Sequence, residues 1–546
     1  MSKFVLKFFQ ILVCFFLFSQ IQNVKAQCTI TIAPNVSVVD GASLQPGDKI
    51  CIESGNRAYL LFKNLTGTEL NPITIVNSGG QSIIDTDHFY GIKFSGCKFV
   101  RMLGNGFNSV TYGFKIKRVG NGAGISVDDM STNIEIAWTE ISHTAIGGIY
   151  AKTDPSCDFR ATRDKFTMFD LEIHDCYLHD IADEGMYIGS SKFTGQSLAD
   201  CDTVVLPHII NGVKVYNNIL ENTGWDGIQV SSAPTDCEIY GNTIRFDSYR
   251  ETQYQMSGIL IGGGSKCDCY NNRIFDGKGD GIDVFGSSEM KIYNNLIVRA
   301  GRTYFPDNQN YQRHGIFFGI PPDNSSSSLV LLHNTIVEPK TNGIRLFNDN
   351  STGNIVQNNI ITEPGAFTQQ GDLAYVNHAM SNTHLTMSYN LFLNSTSQVL
   401  FLNHQDGNFD LKPGSPAVNS GIDLGNSAVL FDIDRRERPF HNGFDKGAFE
   451  CHDPYADILN QEVSSSPFSV YPNPADNFIR INNSDKNSKN QIKIFDSLGR
   501  LIANDKWVLS IDDKGILLDI NNLTPGVYKI QYVTSKEILS GSFIKK

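Results

Sequence analysis

The segment VKVYNNILENTGWDGIQV (213–230) returns along the chain as CEIYGNTIRF…MSGILIG (237–262), CDCYNNRIFDGKGDGIDVFG (267–286), MKIYNNLIVRAG…RHGIFFG (290–319) and LVLLHNTIVEPKTNGIRLF (329–347). Looser copies stand at 134–151, 171–189, 354–365 and 385–394, and the shortest spacing is about two dozen residues. Each copy alternates apolar and polar residues, turns at Asn, runs a second short apolar strand and begins a third at Gly-Ile. Period-two runs with no helical pattern between them predict strands. Like strands recur in one direction, so two-residue hairpins are not the main connection. A copy this short cannot bury its own apolar face, whereas stacked copies share a continuous core. The chain is therefore predicted to be all-β, a right-handed parallel β-helix with rungs about 4.8 Å apart. Asn218, Asn242, Asn272, Asn295, Asn334, Asn359 and Asn390 fall at one corner of successive copies, where their amides are expected to bond one above another.

Lys3 and Lys7 precede an apolar run that ends in Val24-Lys25-Ala26, so residues 1–26 read as a secretory signal peptide, too short for a spanning helix. Export permits disulfides. Cys28 and Cys51 bracket the first folded segment and are expected to pair. Cys157 and Cys201 lie in insertions at the same turn of adjacent copies, and a disulfide between them is expected. The remaining cysteines, CDC at 267–269 included, read as small buried apolar residues. Lys+Arg 45 against Asp+Glu 57 gives a net charge of -12, which disfavours nucleic acid and membrane surfaces as partners. No later segment is apolar enough to span a membrane, and a monomer is expected.

The repeat resembles the pectate-lyase-like β-helix superfamily over roughly residues 28–450. FDLKPGSPAVNSGIDL followed by DIDRRERPFHNGFDKGAFE resembles the closing segment of exported bacterial β-helix proteins, which would cap the coil and hide its strand edge. After a Ser-rich linker, Tyr-Pro-Asn-Pro (471–474), Asp496 to Gly499 and Pro525-Gly526-Val527-Tyr528 resemble the type A C-terminal sorting domain of the Bacteroidetes type IX secretion system. That resemblance implies export by the type IX machinery, removal of the tail, and release or surface attachment. The division expected is a β-helix domain over 27–452, a linker over 453–466 and a small β-sandwich sorting domain over 467–546.

On such a coil, function sits on outward residues of one face and on inserted loops. Before the Gly of each Gly-Ile strand stand Gly147, Glu184, Asp226, Ser257, Asp280, His314 and Asn342; two residues after it stand Tyr150, Tyr187, Gln229, Leu260, Asp283, Phe317 and Arg345. The copies of Asn242 and Asn295 carry long insertions and the copy between them is short. Two walls are thus predicted around a floor of Lys278 to Asp283. Asp-Gly is also an ordinary turn spelling, which accounts for Asp226 and Asp280 without chemistry. Asp283, within a strand and facing out, is not explained that way.

Two carboxylates across a groove suit general acid and base work on a glycosidic bond. The chain resembles polygalacturonase-type hydrolases in part: Asp280 matches the end of their first motif, His314-Gly315 the third, and Arg345 opens the fourth. Their Asp-Asp rung is missing and Phe347 replaces a Lys. The rival chemistry is β-elimination from a uronic-acid polysaccharide, in which a cation or Arg neutralises the carboxylate. The expected roles are acid/base or cation ligands for Asp280 and Asp283, and proton shuttle for His314. Arg313 and Arg345 would read carboxylate or sulfate, Trp225 and Tyr187 would stack on sugar, and Glu184 and Asp226 would contact the substrate. Calcium is the one cofactor these oxygens suggest. A surface adhesin or glycan-binding protein without catalysis is the alternative, carried by the outward aromatics.

Overall fold

The computed structural model describes residues 27–305, 311–351, 353–365, 370–379, 384–440, 443–452, 470–481, 491–496, 501–502, 507–512, 515–533 and 538–546. The signal segment, the linker and the Gly499 end of the Asp496 motif lie outside these residues. Two compact units are present, residues 1–396 with 431–436, and residues 397–430 with 437–546.

The first unit is a coil with three strands per rung. In one rung these are Ile209–Tyr216, Ile219–Thr223 and Ile228–Val230; in the next they are Thr235–Tyr240, Thr243–Arg245 and Ser257–Ile261. Each pairs in parallel with its counterpart above and below. Among the described residues the coil's parallel strands fall into sheets of 23 and 12. The inward columns are aliphatic: Ile228, Ile259, Ile282, Ile316 and Ile344 stack through the smaller sheet with no exposed surface. Burying such a side chain contributes about 1.5–3 kcal/mol, and the column repeats that gain on every rung.

The doubled Asn of the repeat is two devices. The first residue of each pair bends the chain: Asn217, Gly241, Asn271, Asn294 and Asn358 all have φ between 53° and 67°. The second points inward. The side-chain amide of Asn218 donates to Asn242 Oδ1, Asn242 to Asn272, Asn272 to Asn295, Asn295 to Asn334, Asn334 to Asn359 and Asn359 to Asn390, each at 3.0 Å. Each also caps a backbone carbonyl of the preceding rung, as Asn272 does at Ile239 over 2.9 Å. A buried corner that would strand its peptide groups is thereby satisfied. On the outer side of the same strands Tyr216, Tyr240, Tyr270 and Tyr293 stack at 4.7–4.9 Å.

Disulfides join Cys28 to Cys51, Cys157 to Cys201 and Cys237 to Cys267. The third corrects the reading of Cys237 and Cys267 as plain apolar residues: they are register partners on adjacent strands, with Cα atoms 4.4 Å apart. Residues 431–436 lie on the flank of the coil, where Asp434 pairs with Arg273 and the Phe431 carbonyl accepts from the Asn294 side chain at 2.6 Å.

The second unit contains two antiparallel sheets of four strands among the described residues, around Ile479, Ile494, Leu518, Ile530, Tyr532 and Phe543. Its motifs are structural. Asn473 of Tyr-Pro-Asn-Pro clips the last strand, accepting from the Ile544 amide at 2.8 Å and donating to the Ser542 carbonyl at 3.1 Å. Tyr528 donates its hydroxyl to the Thr524 carbonyl at 2.7 Å.

Candidate active-site cleft

Strand register brings Tyr150, Tyr187, Gln229, Leu260, Asp283, Phe317 and Arg345 into one outward column. Over the last four rungs of that column a cleft of about 1080 Å³ opens. Asp280, Asp283, His314, Phe317 and Arg345 lie at its base. Gln253, Tyr254 and Met256 of one insertion and Tyr304, Tyr311, Gln312 and Arg313 of the other form its walls. Ser191 and Pro322 add a further side, where a Cβ on Gly264 would stand 2.1 Å from the Phe193 ring. The disulfide-tied upstream insertion therefore reaches this cleft. Lys278 does not line it: its ammonium pairs with Glu251.

Asp280 and Gly281 are not a turn. They open the strand Asp280–Val284, and neither has a positive φ. Glycine stands at 281 because a Cβ there would meet the Gly315 carbonyl oxygen and Ile297 Cγ2, each at 2.5 Å. The turn explanation of Asp280 is thus overturned. The same packing holds at Gly227, which follows Asp226 and whose Cβ would stand 2.5 Å from the Gly258 oxygen.

Asp280 is 7% exposed. Its Oδ1 accepts the backbone N–H of His314 on the next rung, and Oδ2 faces Arg313 Nε at 3.9 Å. Burial raises its pKa to about 6, against the opposing pull of Arg313, the His314 amide and Arg345. Asp283 has no comparable support: its Oδ1 is buried without a hydrogen-bond partner. Burial, and then the charges of Asp280, Asp226 and Asp247, push its pKa well above the ordinary carboxylate range. The surroundings thus separate the proton affinities of the two carboxyls on this strand.

His314 is 4% exposed, and its Nδ1 accepts the Asn342 amide at 3.3 Å. Burial, then Arg345 and Arg313, hold its pKa well below the ordinary value. The ring is neutral with its proton on Nε2. It can donate a hydrogen bond into the cleft but has no free lone pair with which to take a proton, which corrects the expected role of proton shuttle.

Arg313 is fixed by the Gln312 carbonyl at 2.8 Å, Met256 Sδ at 3.0 Å and the Tyr304 ring 4.8 Å from its guanidinium. Arg345 donates to Gln312 Oε1 at 3.2 Å and lies over the Phe347 ring at 5.2 Å. Among the described residues Arg345 forms no ion pair, and burial lowers its pKa. The aromatic at 347 thus holds the guanidinium in place.

Four expected contacts do not line the cleft. Glu184 is buried and accepts the Tyr150 hydroxyl at 3.0 Å. Asp226 is fully buried and accepts the Ser257 hydroxyl at 2.7 Å. Tyr187 bonds Ser191 Oγ at 2.8 Å, with Lys152 4.7 Å above its ring and Tyr150 edge-on at 5.4 Å. Trp225 is half-buried, and its carbonyl receives the Ser248 amide at 3.0 Å. The free aromatic surface is elsewhere. Tyr254 is 85% exposed at the cleft wall, with Tyr304 and Tyr311 opposite. The tyrosines of both insertions were the signal for these residues.

Residues 204–390 match the family described as right handed beta helix region, and residues 469–546 match the secretion system C-terminal sorting domain. The chain is a right-handed β-helix protein with a type IX sorting tail. The tail directs this β-helix protein to the cell surface or the extracellular space. No helix among the described residues is long and apolar enough to cross a membrane. No curated protein matches the chain. Similar solved structures include an alginate lyase from Paenibacillus sp. str. FPU-7, with 13% identity, TM-score 0.37, and coverage of 66% of this chain and 99% of that one. A lacto-N-biosidase from Eubacterium ramulus has 13% identity, TM-score 0.42, and coverage of 64% and 63%. A polysaccharide lyase from Pseudopedobacter saltans has 14% identity, TM-score 0.35, and coverage of 69% and 96%.

Of the oxygens suggested for calcium, some already have partners. Asp280 already holds the His314 amide and faces Arg313, and among the described residues no group of three or more His, Cys, Asp or Glu can hold a metal ion.

Proposed function

We infer that this exported β-helix protein cleaves an acidic polysaccharide in the cleft by hydrolysis, with Asp283 as general acid and Asp280 as its ionised partner. The observation that carries this is the unequal support of the two carboxyls. Asp280 has an amide donor and a cation; Asp283 has a buried oxygen with no partner. A pair of carboxyls whose surroundings separate their proton affinities is what glycosidic cleavage requires, one to protonate the departing oxygen and one to act as base or nucleophile. The separation of the two pKa values leaves Asp283 protonated and Asp280 ionised above about pH 6.

The same assignment makes the cleft cationic. With Asp283 neutral, Arg313 and Arg345 outweigh Asp280, although the whole chain carries a net charge of -12. Anionic sugars are favoured for that reason. Tyr254, exposed at the cleft wall, supplies a face on which a sugar ring can stack.

β-Elimination is the second reading, and the one observation in its favour is Arg345. A guanidinium without a carboxylate partner among the described residues suits the task of neutralising a uronate. The purified protein incubated with polygalacturonate, alginate, chondroitin sulfate and neutral glucans separates these readings. New reducing ends from an acidic polymer without the ultraviolet absorbance of an unsaturated uronate support hydrolysis. Reducing ends with that absorbance support elimination. Binding without either product supports the non-catalytic alternative.

A further inference from the structure

Behind the base of the cleft lies a carboxyl with no part in the roles above. Asp247 follows the strand Thr243–Arg245, opens the insertion that leads to Met256, and is 1% exposed. Its neighbours Phe246 and Ser248 have φ of 58° and 61°. That region costs a non-glycine residue about 1 kcal/mol or more, so the bends are held by surrounding structure. The Asp247 carbonyl accepts the Lys278 amide at 3.0 Å. Its Oδ1 accepts the Ser248 hydroxyl at 2.7 Å, and the Gly279 amide faces the same carboxyl. Oδ2 is buried without a partner, 1.9 Å from where a Cβ on Gly277 would be. Asp247 thus touches each of the three residues that lead into Asp280. On an adjacent rung Asp226, also fully buried, has one oxygen on Ser257 and one without a partner.

We propose that Asp247 is a positioning residue of the cleft: it seats the Gly277–Gly279 segment that leads into Asp280 and, with Asp226, forms a cluster of buried carboxyls behind the reacting pair. This rests on Asp280 and Asp283 being the reacting pair. Larger and apolar occupants of the position would each fail for a physical reason. A larger side chain at 247 has no room against Gly277. An apolar one would leave the Ser248 hydroxyl and the Gly279 amide without their acceptor.

The charged groups around the cluster are few. Asp280 faces Asp247; Asp280, Asp226, Arg313 and Asp247 face Asp283; Glu184 and Asp247 face Asp226. The cations facing this set are Arg313 and, at Asp280, Arg345; the carboxyls outnumber them, so ionising one member makes the others harder to ionise. Burial and then Asp280 raise the Asp247 pKa to about 7, within the range where Asp280 and Asp283 must differ.

The test is an infrared titration of the full chain that follows the protonated-carboxyl band, with the wild type, Asp247→Asn and Asp226→Asn. Asparagine preserves shape and the acceptor oxygen while removing the ionisable proton. The expected result for either variant is loss of one component and a downward shift, by about half a pH unit or more, in the midpoint of those that remain. Loss of one component with all other midpoints unchanged in both variants would overturn the proposal, since a merely structural side chain gives that outcome. The pH profile of glycan cleavage should shift downward on its alkaline limb in parallel. If no glycan is cleaved while the infrared midpoints shift, the functional reading fails and the role of Asp247 in the cluster stands.

Discussion

The backbone amide of Asn342 donates to Nδ1 of His314 at 3.3 Å, one rung fixing the tautomer of the ring below it. The lone pair is spent on the backbone, and the remaining N–H is the only group the imidazole can offer a substrate. A His with a depressed pKa binds fewer protons folded than unfolded, so its contribution to stability is lost as pH falls below about 6.5. His314→Gln should therefore narrow the loss of Tm between neutral and mildly acid pH in scanning calorimetry. The pH profile of cleavage should keep its limbs in this variant, because His314 is not the titrating group.

As the proposed ionised partner, Asp280 would set the acid limb. Its pKa of about 6 predicts that kcat/KM rises as pH increases through that value and falls only where Asp283 ionises. Asp280→Asn and Asp283→Asn should each lower kcat by about 10²–10⁴-fold, the usual worth of a positioned acid or base. The first substitution should abolish the acid limb and the second the alkaline limb, read from initial rates across pH.

The role proposed for Arg345 is to read charge on the substrate. Arg345→Ala should raise KM for an acidic polymer about tenfold or more, equivalent to about 1.4 kcal/mol, with kcat less affected. Added salt should weaken binding by the wild type more than by the variant, measured by titration calorimetry.

The Asn ladder is an energetic claim about the coil. Asn272 donates to Ile239 O and Asn295 Oδ1 and accepts from Asn242 N and Nδ2. Asn272→Ala leaves those buried partners without bonds and should cost about 2–4 kcal/mol, seen as a lower denaturant midpoint. A surface substitution such as Lys214→Ala should be nearly silent.

The coil and its columns were legible because register in a solenoid is set by the repeat itself. Residues two after each Gly, from Tyr150 to Arg345, fall at the same place on every rung. Insertion lengths also pointed to the cleft, since a short rung between two long ones must lie open. Side-chain partners were not legible. Asp226 and Asp280 follow the same rule in the sequence, yet Asp226 is sealed under Ser257 while Asp280 reaches the cleft. Tyr187 read as a platform but lies under Lys152, whose position depends on an insertion that the repeat does not describe. Asp247 falls outside both columns and reaches the site only because Phe246 and Ser248 adopt left-handed conformations.

The most direct test of the central claim is release of reducing ends from acidic polysaccharides by the wild type and by Asp283→Asn under one set of conditions. Hydrolysis of an acidic polymer by the wild type, lost in a variant that retains its Tm and its affinity for the polymer, is the predicted result. Undiminished cleavage by Asp283→Asn, or no cleavage of any acidic polymer by the wild type, would contradict it.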